Sequence, residues 1–453
     1  MRCESLGLTP WSTGCPSPQT ASSSCSPLGT DPRATSPPVG PGGVDWRRNL
    51  VALWFAEFMA IFGFSFAFPF LSIFIHHDLG VAQGRDLDLW TAATASASGL
   101  ALAVASPIWG VLGDRYGRKP MLIRSMVGGA ITVGLIYFAH TPEELLVLRF
   151  LQGLTSGTVA AATALVAAET PRNRVGWALG VVTSAIALGG AIGPVIGGIA
   201  GAVFGLRLVF LGAGVLLLLS TLPVLFVVRE SPLRRREGPR VSTLTLIRQR
   251  PGADRALGVL IGAQGMINLV NAATQQLVVL RLLEMVSSGV AAVTGIAFGL
   301  AGVASSGAAV FYTTVTRRLG YVRTTALAAV LVGVSVSLIA VSPWVAVVVA
   351  GIALNGLFSG VIIPATASMI GLETPPEAQS TVFGANASSV ALGFFFGPLV
   401  GGGVAATAGV PASLLVIAVL ALALAVLIAF GAREPEGFAP PGAARRPPHG
   451  VGR

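Results

Sequence analysis

Cysteine is almost missing from this sequence. Cys3, Cys15 and Cys25 lie together near the start, so no disulfide or thiolate metal site can staple the remainder. Charge is nearly as scarce: Asp, Glu, Lys and Arg make up 11% of 453 residues, against 53% hydrophobic, with a mean hydropathy of +0.78. That composition excludes a soluble protein, and the length far exceeds one membrane anchor. There is no GxxxxGK[ST] phosphate loop, no nucleophile triad and no haem motif, so a membrane enzyme is the least supported reading and no cofactor is implied. The net charge of +10 comes without an aromatic-interleaved basic patch, which excludes nucleic acid as a partner. His76-His77-Asp78 is read as loop chemistry, not a metal site.

What the chain does have is long apolar runs, continuous rather than alternating, so a polytopic helical protein is expected and a membrane barrel is not. Twelve spans are long enough to cross about 30 Å of hydrocarbon. Six lie near 50–75, 89–112, 121–139, 145–168, 175–203 and 206–228, and six near 257–280, 290–315, 324–341, 344–370, 378–406 and 411–430. The predicted fold is all-α, with twelve transmembrane helices in two pseudo-symmetric six-helix bundles, 46–228 and 257–430. The basic stretch 229–256 is the linker between them. Residues 1–45 and 431–453, rich in Ser, Pro and Gly, read as disordered tails. The first is either a solvated tail or an early mis-assigned start; the later start near Asp45 is favoured, because convincing structure begins there.

The two bundles are copies of each other. GGAIGPVIGG from Gly189 returns as GFFFGPLVGG from Gly393, Glu169-Thr170-Pro171 as Glu373-Thr374-Pro375, and Gln152-Gly153-Leu154 as Asn355-Gly356-Leu357. Within the first copy Gly189, Gly193, Gly197, Gly201 and Gly205 recur every fourth residue and form one bare helical ridge for close backbone approach, which Pro194 bends. Lys and Arg are one-sided. The even-to-odd loops, the linker and the membrane-proximal ends hold nearly all of them, and the other side holds Arg85, Arg207 and Arg281. Both termini and the linker are therefore expected in the cytoplasm, with anionic lipid headgroups as partners of the basic loops.

GVLGDRYGRKP, Gly110 to Pro120, places Asp114 among Arg115, Arg118 and Lys119, with Gly117 free to take positive φ. Such a preorganised charge cluster can grip another helix end. This loop resembles the G-x-x-x-D-R-x-G-R-K motif of the major facilitator superfamily. Leu146-x-x-Arg149-x-x-Gln152-Gly153 resembles its fourth-helix motif, and GxxxGPxxGG from Gly189 its fifth-helix motif of proton-coupled exporters. Trp90, SPIWGVLGDRYGRKPMLIRS from Ser106 and PRNRVGWALG from Pro171 are similar to the twelve-helix drug:proton antiporter family, MdtG-type.

The resemblance covers about 46–430 and implies an inner gate at Gly110, Asp114, Arg115, Gly117, Arg118 and Lys119, closing against the start of the eleventh helix near Ala378. It also implies a hinge at Gly189, Gly193, Pro194, Gly197, Gly198, Gly397 and Pro398. The second half departs from the pattern. Arg317-Arg318-Leu319-Gly320 lacks the acid, and Ile352 takes the slot of Arg149, so proton-linked chemistry belongs to the first half.

Two charges in that half sit where charge is costly. Glu57, a third of the way along the first span, is the candidate coupling acid; the alternative is a side chain that reaches the cytoplasmic interface or pairs structurally. Arg149 is the candidate sensor of a carboxylate's protonation; the alternative is a structural ion pair or carbonyl clamp. Gln264, Asn268, Asn271 and Gln275 share one face of the seventh span, either as a substrate wall or as glue between helices. Gln152 and Asn355 occupy matched places, which favours a central cavity. The expected protein is a monomeric multi-pass transporter of the plasma or inner membrane, exporting small lipophilic or amphiphilic compounds in exchange for protons. A metabolite exporter or uptake symporter is the alternative within transport, and a non-transporting sensor or scaffold the alternative outside it.

Overall fold

The computed structural model describes residues 45–171, 174–231, 253–374 and 379–435. The expectations for residues 1–44, most of the linker, Ala378 and the second tail fall outside these, as does the side chain of Asp114. Among the described residues all regular structure is helical.

Twelve helices are long and apolar enough to span a membrane: α1 Trp46–His77, α2 Arg85–Gly113, α3 Arg118–Phe138, α4 Pro142–Glu169, α5 Val175–Phe204, α6 Leu206–Phe226, α7 Arg255–Met285, α8 Val290–Leu319, α9 Tyr321–Val341, α10 Val345–Glu373, α11 Val382–Ala408 and α12 Val410–Gly431. Each matches a predicted span to within a few residues. Most extend past the hydropathy limits, and at two of them a side chain caps the start. Asp45 starts α1 by accepting from the backbone N–H groups of Arg47 (3.1 Å) and Arg48 (3.2 Å), and Thr141 with Glu144 forms a capping box at α4. Gly117 (φ 107°) joins α2 to α3 and Gly320 (φ 88°) joins α8 to α9, a backbone conformation that L side chains rarely adopt.

Packing repeats between the halves. α1 lies on α5 and α6 as α7 lies on α11 and α12; α2 pairs with α4 as α8 pairs with α10; α3 pairs with α6 as α9 pairs with α12. The glycine motif explains the closest of these contacts. A Cβ at Gly189 would stand 2.8 Å from the Phe58 carbonyl oxygen, and one at Gly193 2.7 Å from the Ser65 Cβ and 2.9 Å from the Phe62 oxygen; only a bare backbone fits. Gly197 faces Phe66 in the same way, while Gly393 and Gly397 repeat the arrangement against Leu269 of α7. The ridge ends sooner than the spacing predicts: Gly205 is the turn after α5, at φ 84°. The phenylalanines near Glu57 are packing residues. Phe58, Phe62 and Phe66 run in a stack along the α5 side of α1, and Phe66 is buried.

The halves meet along two seams, α2 with α11 and α5 with α8. Gly198 and Pro194 of α5 face Ala291 and Gly295 of α8, and Gly402 of α11 faces Ala92 and Asp88 of α2. Thus one glycine of each paired GG packs inside its own half and its neighbour packs across the seam. These contacts lie in the half of the molecule away from the linker. Toward the linker end, nothing lies within 4 Å of a Cβ at Gly110, Gly176, Gly180, Gly307 or Gly384. The four seam helices touch through their outer parts and part toward the linker.

Candidate functional site

The Gly110–Pro120 motif sits at the parted end, and Arg118 and Lys119 bond within their own half. Asp114 lies in the last turn of the helix Arg85–Tyr116, and Arg115 is exposed. The first amides of α3, from Arg118 and Lys119, donate to the two carboxylate oxygens of Glu230 at 2.8 and 3.0 Å. Arg118 Nη1 reaches the Ala164 carbonyl at 2.8 Å, and Lys119 Nζ the Val228 carbonyl at 2.7 Å. A carboxylate on the orphan amides at a helix start is favoured by charge and by geometry.

Sequence reasoning missed Glu230, although a signal was present. Glu434, also one residue after an Arg beyond a half's last helix, accepts from Tyr321 and Val322 at the start of α9, both at 2.9 Å. Glu169 completes the first-half cluster by accepting from the Ser231 amide (2.9 Å) and hydroxyl (2.6 Å).

Arg149 and Gln152 come together deep in the first half. The guanidinium donates through Nη1 to Gln152 Oε1, through Nη2 to Ser98 Oγ at 2.9 Å and through Nε to the Thr94 carbonyl at 3.3 Å, and it lies 4.5 Å from the Phe68 ring centroid. Its partners are neutral groups of α2 and α4, not a carboxylate. Glu57 is fully buried, and neither carboxylate oxygen has a hydrogen-bond partner. Among the described residues the ion pairs are Arg207–Asp78 at 3.5 Å and Arg281–Glu284 at 2.9 Å, both at the outer end. The structure does not join Glu57 to Arg149. His76 uses Nδ1 on the Val81 carbonyl at 2.8 Å, and Arg207 also donates to the carbonyls of Tyr137 and Ala139 at 2.9 and 2.8 Å.

The amides of the seventh span divide. Gln264 donates to the Ile363 carbonyl at 3.3 Å and Asn271 accepts from Ser359 Oγ at 2.9 Å, both on α10. Asn268 donates back to Gln264 at 2.8 Å. Gln275 is exposed, whereas Gln276, one position on, is buried with its amide unpartnered. Gln264 and Asn271 therefore bind helices within the second half and do not present four free amides. Besides Gln276, the spare capacity among these amides is Gln264 Oε1, Asn355 Nδ2 and Asn386 Oδ1, buried without partners. Asp88, which the sequence did not single out, is buried in the outer seam beside Gly402.

Two duplicated six-helix halves, closed at one end, parted at the other and carrying lone charges in the first half, form the architecture of an alternating-access membrane transporter. The chain matches the Major Facilitator Superfamily profile over residues 53–323 and 266–450, and it belongs to that superfamily. Within it the chain is similar to the multidrug resistance protein MdtG: the Proteus mirabilis protein is 41% identical over 191 residues, 42% of this chain and 47% of that protein. The Escherichia fergusonii protein is 30% identical over 395 residues, 85% of this chain and 95% of that protein. The first alignment thus spans about half of its relative and the second nearly all. The solved structure of the nucleoside transporter NupG superposes with a TM-score of 0.70 at 14% identity, covering 84% of this chain and 98% of that one, which speaks to the fold alone.

Proposed function

We propose that this protein exports lipophilic or amphiphilic compounds in exchange for protons, by rocking residues 46–228 against 257–430. The observation that carries this is the glycine seam, closed at its outer end and parted toward the basic linker end, with an unpaired acid buried in the first half. The one-sided distribution of Lys and Arg puts both termini and the linker in the cytoplasm, so the conformation described is open to the inside. Similarity to multidrug resistance proteins supports drug-like cargo. The protein acts as a monomer in the cell membrane, its basic loops against anionic headgroups.

Glu57 carries the proton. An ionised carboxylate without a partner in hydrocarbon costs several kcal/mol, so Glu57 enters this conformation protonated. Compound binding from the cytoplasm or inner leaflet and proton binding weaken each other, and linkage makes that antagonism reciprocal. Arg149, held by Thr94, Ser98 and Gln152, keeps a positive charge in the same half that lowers the cost of losing the proton. When the inner side shuts, the Gly110–Lys119 gate exchanges partners for the start of α11, while Gly189, Gly193, Gly197 and their second-half counterparts keep α1 on α5 and α7 on α11. Gln152, Asn355 and, on α7, the free Oε1 of Gln264 supply polar contacts to cargo.

Inside-out vesicles with an acidic interior test this. Lipophilic cations, fluoroquinolones and fosfomycin are added while a pH dye is followed, for the natural protein, Glu57→Gln and Asp114→Asn. Compound-triggered proton release that Glu57→Gln abolishes is the expected result. Release that survives Glu57→Gln removes Glu57 from the mechanism. No release with any compound, in folded and inserted protein, transfers the reading to a narrow metabolite carrier or a sensor.

A further inference from the structure

Helix α4 is interrupted in its middle. It runs as Pro142–Thr155 and then Thr158–Glu169, with Gly157 between them at φ 127° and ψ 21°. The same Ser-Gly pair recurs in the second half as Ser359-Gly360, yet α10 passes through it unbroken, Val345–Glu373. The Ser-Gly pair by itself therefore does not make the break; Thr155, whose place Phe358 takes in the second half, and Ser156 donate from their hydroxyls to the Gln152 carbonyl at 3.1 and 2.9 Å.

The neighbours meet the remaining freed carbonyls. Interrupting a helix in hydrocarbon frees carbonyl groups that must find donors. The indole Nε1 of Trp109, on α2, donates to the Leu154 carbonyl at 2.7 Å. Arg124 Nη2, on α3, donates to the Ser156 carbonyl at 3.3 Å, and the guanidinium lies 3.6 Å from the Trp109 ring centroid. Counted from the turn glycines Gly117 and Gly320, the positions matching Trp109 and Arg124 hold Tyr312 and Leu327. Neither supplies this pair: the Tyr312 hydroxyl is engaged with Ser368 at 3.0 Å, and Leu327 is exposed. Where the two donors are lacking, the helix stays closed.

The segments on either side of the break belong to different parts of the machine. The outer one carries Arg149 and Gln152 and is fixed to α2 through Thr94 and Ser98, with Gly153 packed directly on the Ser98 backbone. The inner one accepts the gate residue Arg118 at Ala164 and, through Glu169, holds Ser231 beyond α6. Arg124 also keeps Nε and Nη1 buried without a hydrogen-bond partner; these are donors free to take up another carbonyl if the segments rotate.

We propose that Ser156–Gly157 is a hinge in α4, latched by the stacked Trp109 and Arg124, through which movement at the gate reaches the Arg149 site. Trp109 and Arg124 are positioning residues; they touch neither proton nor cargo. The role in coupling rests on the exchange reading above, but the hinge itself does not.

Hydrogen–deuterium exchange on protein in nanodiscs separates the two. Trp109→Phe keeps the ring and removes the donor; Arg124→Met removes both donor and charge. Without donors the break closes as α10 does, so the amides of residues 157–160, which unlike that of Ala161 lack i→i−4 partners while it is open, lose deuterium uptake by about fivefold, the factor that one hydrogen bond of ordinary net strength is worth. Compound-triggered proton release falls in parallel while compound binding persists. Uptake unchanged in folded Trp109→Phe protein overturns the latch, and Arg124→Met is the second measure of it. If uptake falls but proton release is unchanged, the hinge stands and its link to the Arg149 site is refuted. If the natural protein releases no proton with any compound, the exchange reading fails and the uptake result still decides the latch.

Discussion

Gly302 offers the sharpest test that the seam is the moving part. A Cβ there would lie 2.7 Å from Ala191 Cα and 3.0 Å from Ala191 Cβ across the α5–α8 seam, well inside contact distance, so Gly302→Ala forces the halves apart at the closed end. Overpacking of this kind costs about 1–3 kcal/mol, and only in the conformation in which the seam is closed, which shifts the inward/outward ratio about 5- to 150-fold toward outward-open. Gly307, one helical turn or so further along α8, has nothing within 4 Å, so Gly307→Ala leaves the inward-open conformation untouched and burdens only the opposite one. The assay is double electron–electron resonance between spin labels at exposed outer positions, His140→Cys and Ser288→Cys. The native cysteines, Cys3, Cys15 and Cys25, are replaced first. Gly302→Ala should populate the longer outer distance and Gly307→Ala should not. An unchanged distribution for Gly302→Ala, or the same shift from both, refutes the reasoning.

Glu230→Ala and Glu434→Ala each leave two helix-start amides without their carboxylate, and each should lower stability by about 1–2 kcal/mol, read as a fall in Tm in detergent; two unchanged values would remove the paired caps from the account. Arg149→Met removes a buried cation that has no carboxylate partner, and the desolvation penalty this relieves offsets the donors that Gln152 Oε1 and the Thr94 carbonyl lose. Its Tm should hold or rise while proton release is lost, and a large fall in Tm with release retained would make Arg149 a structural clamp. Asp78, just past α1, has its carboxyl held above the usual range by burial, opposed by Arg207 and His77. The folded protein therefore binds that proton more readily than the unfolded chain, and stability should decline as pH rises from the ordinary carboxylate range through the raised pKa. Asp78→Asn should flatten that stretch of the Tm-against-pH curve; an unaltered slope assigns it to another group.

The twelve spans, the duplication and the superfamily motifs were legible in the chain because each rests on local chemistry: twenty or so apolar residues cross a bilayer whatever surrounds them, and bare glycines at helical spacing admit a neighbouring backbone. The caps at Asp45 and Thr141–Glu144 rest on local chemistry too, but were recognised only in the structure. Which face each glycine serves was not legible in the chain. Gly197 meets α1 and Gly198 meets α8, a choice that depends on how two halves far apart in sequence dock. The amides of α7 looked equivalent by spacing, yet α10 takes up Gln264 and Asn271 and leaves Gln275 exposed. Ser156-Gly157 and Ser359-Gly360 make the point most directly: the same dipeptide is broken in one half and helical in the other, and while Thr155 and Ser156 serve the Gln152 carbonyl locally, the Leu154 and Ser156 carbonyls depend on Trp109 and Arg124, brought in from two other helices.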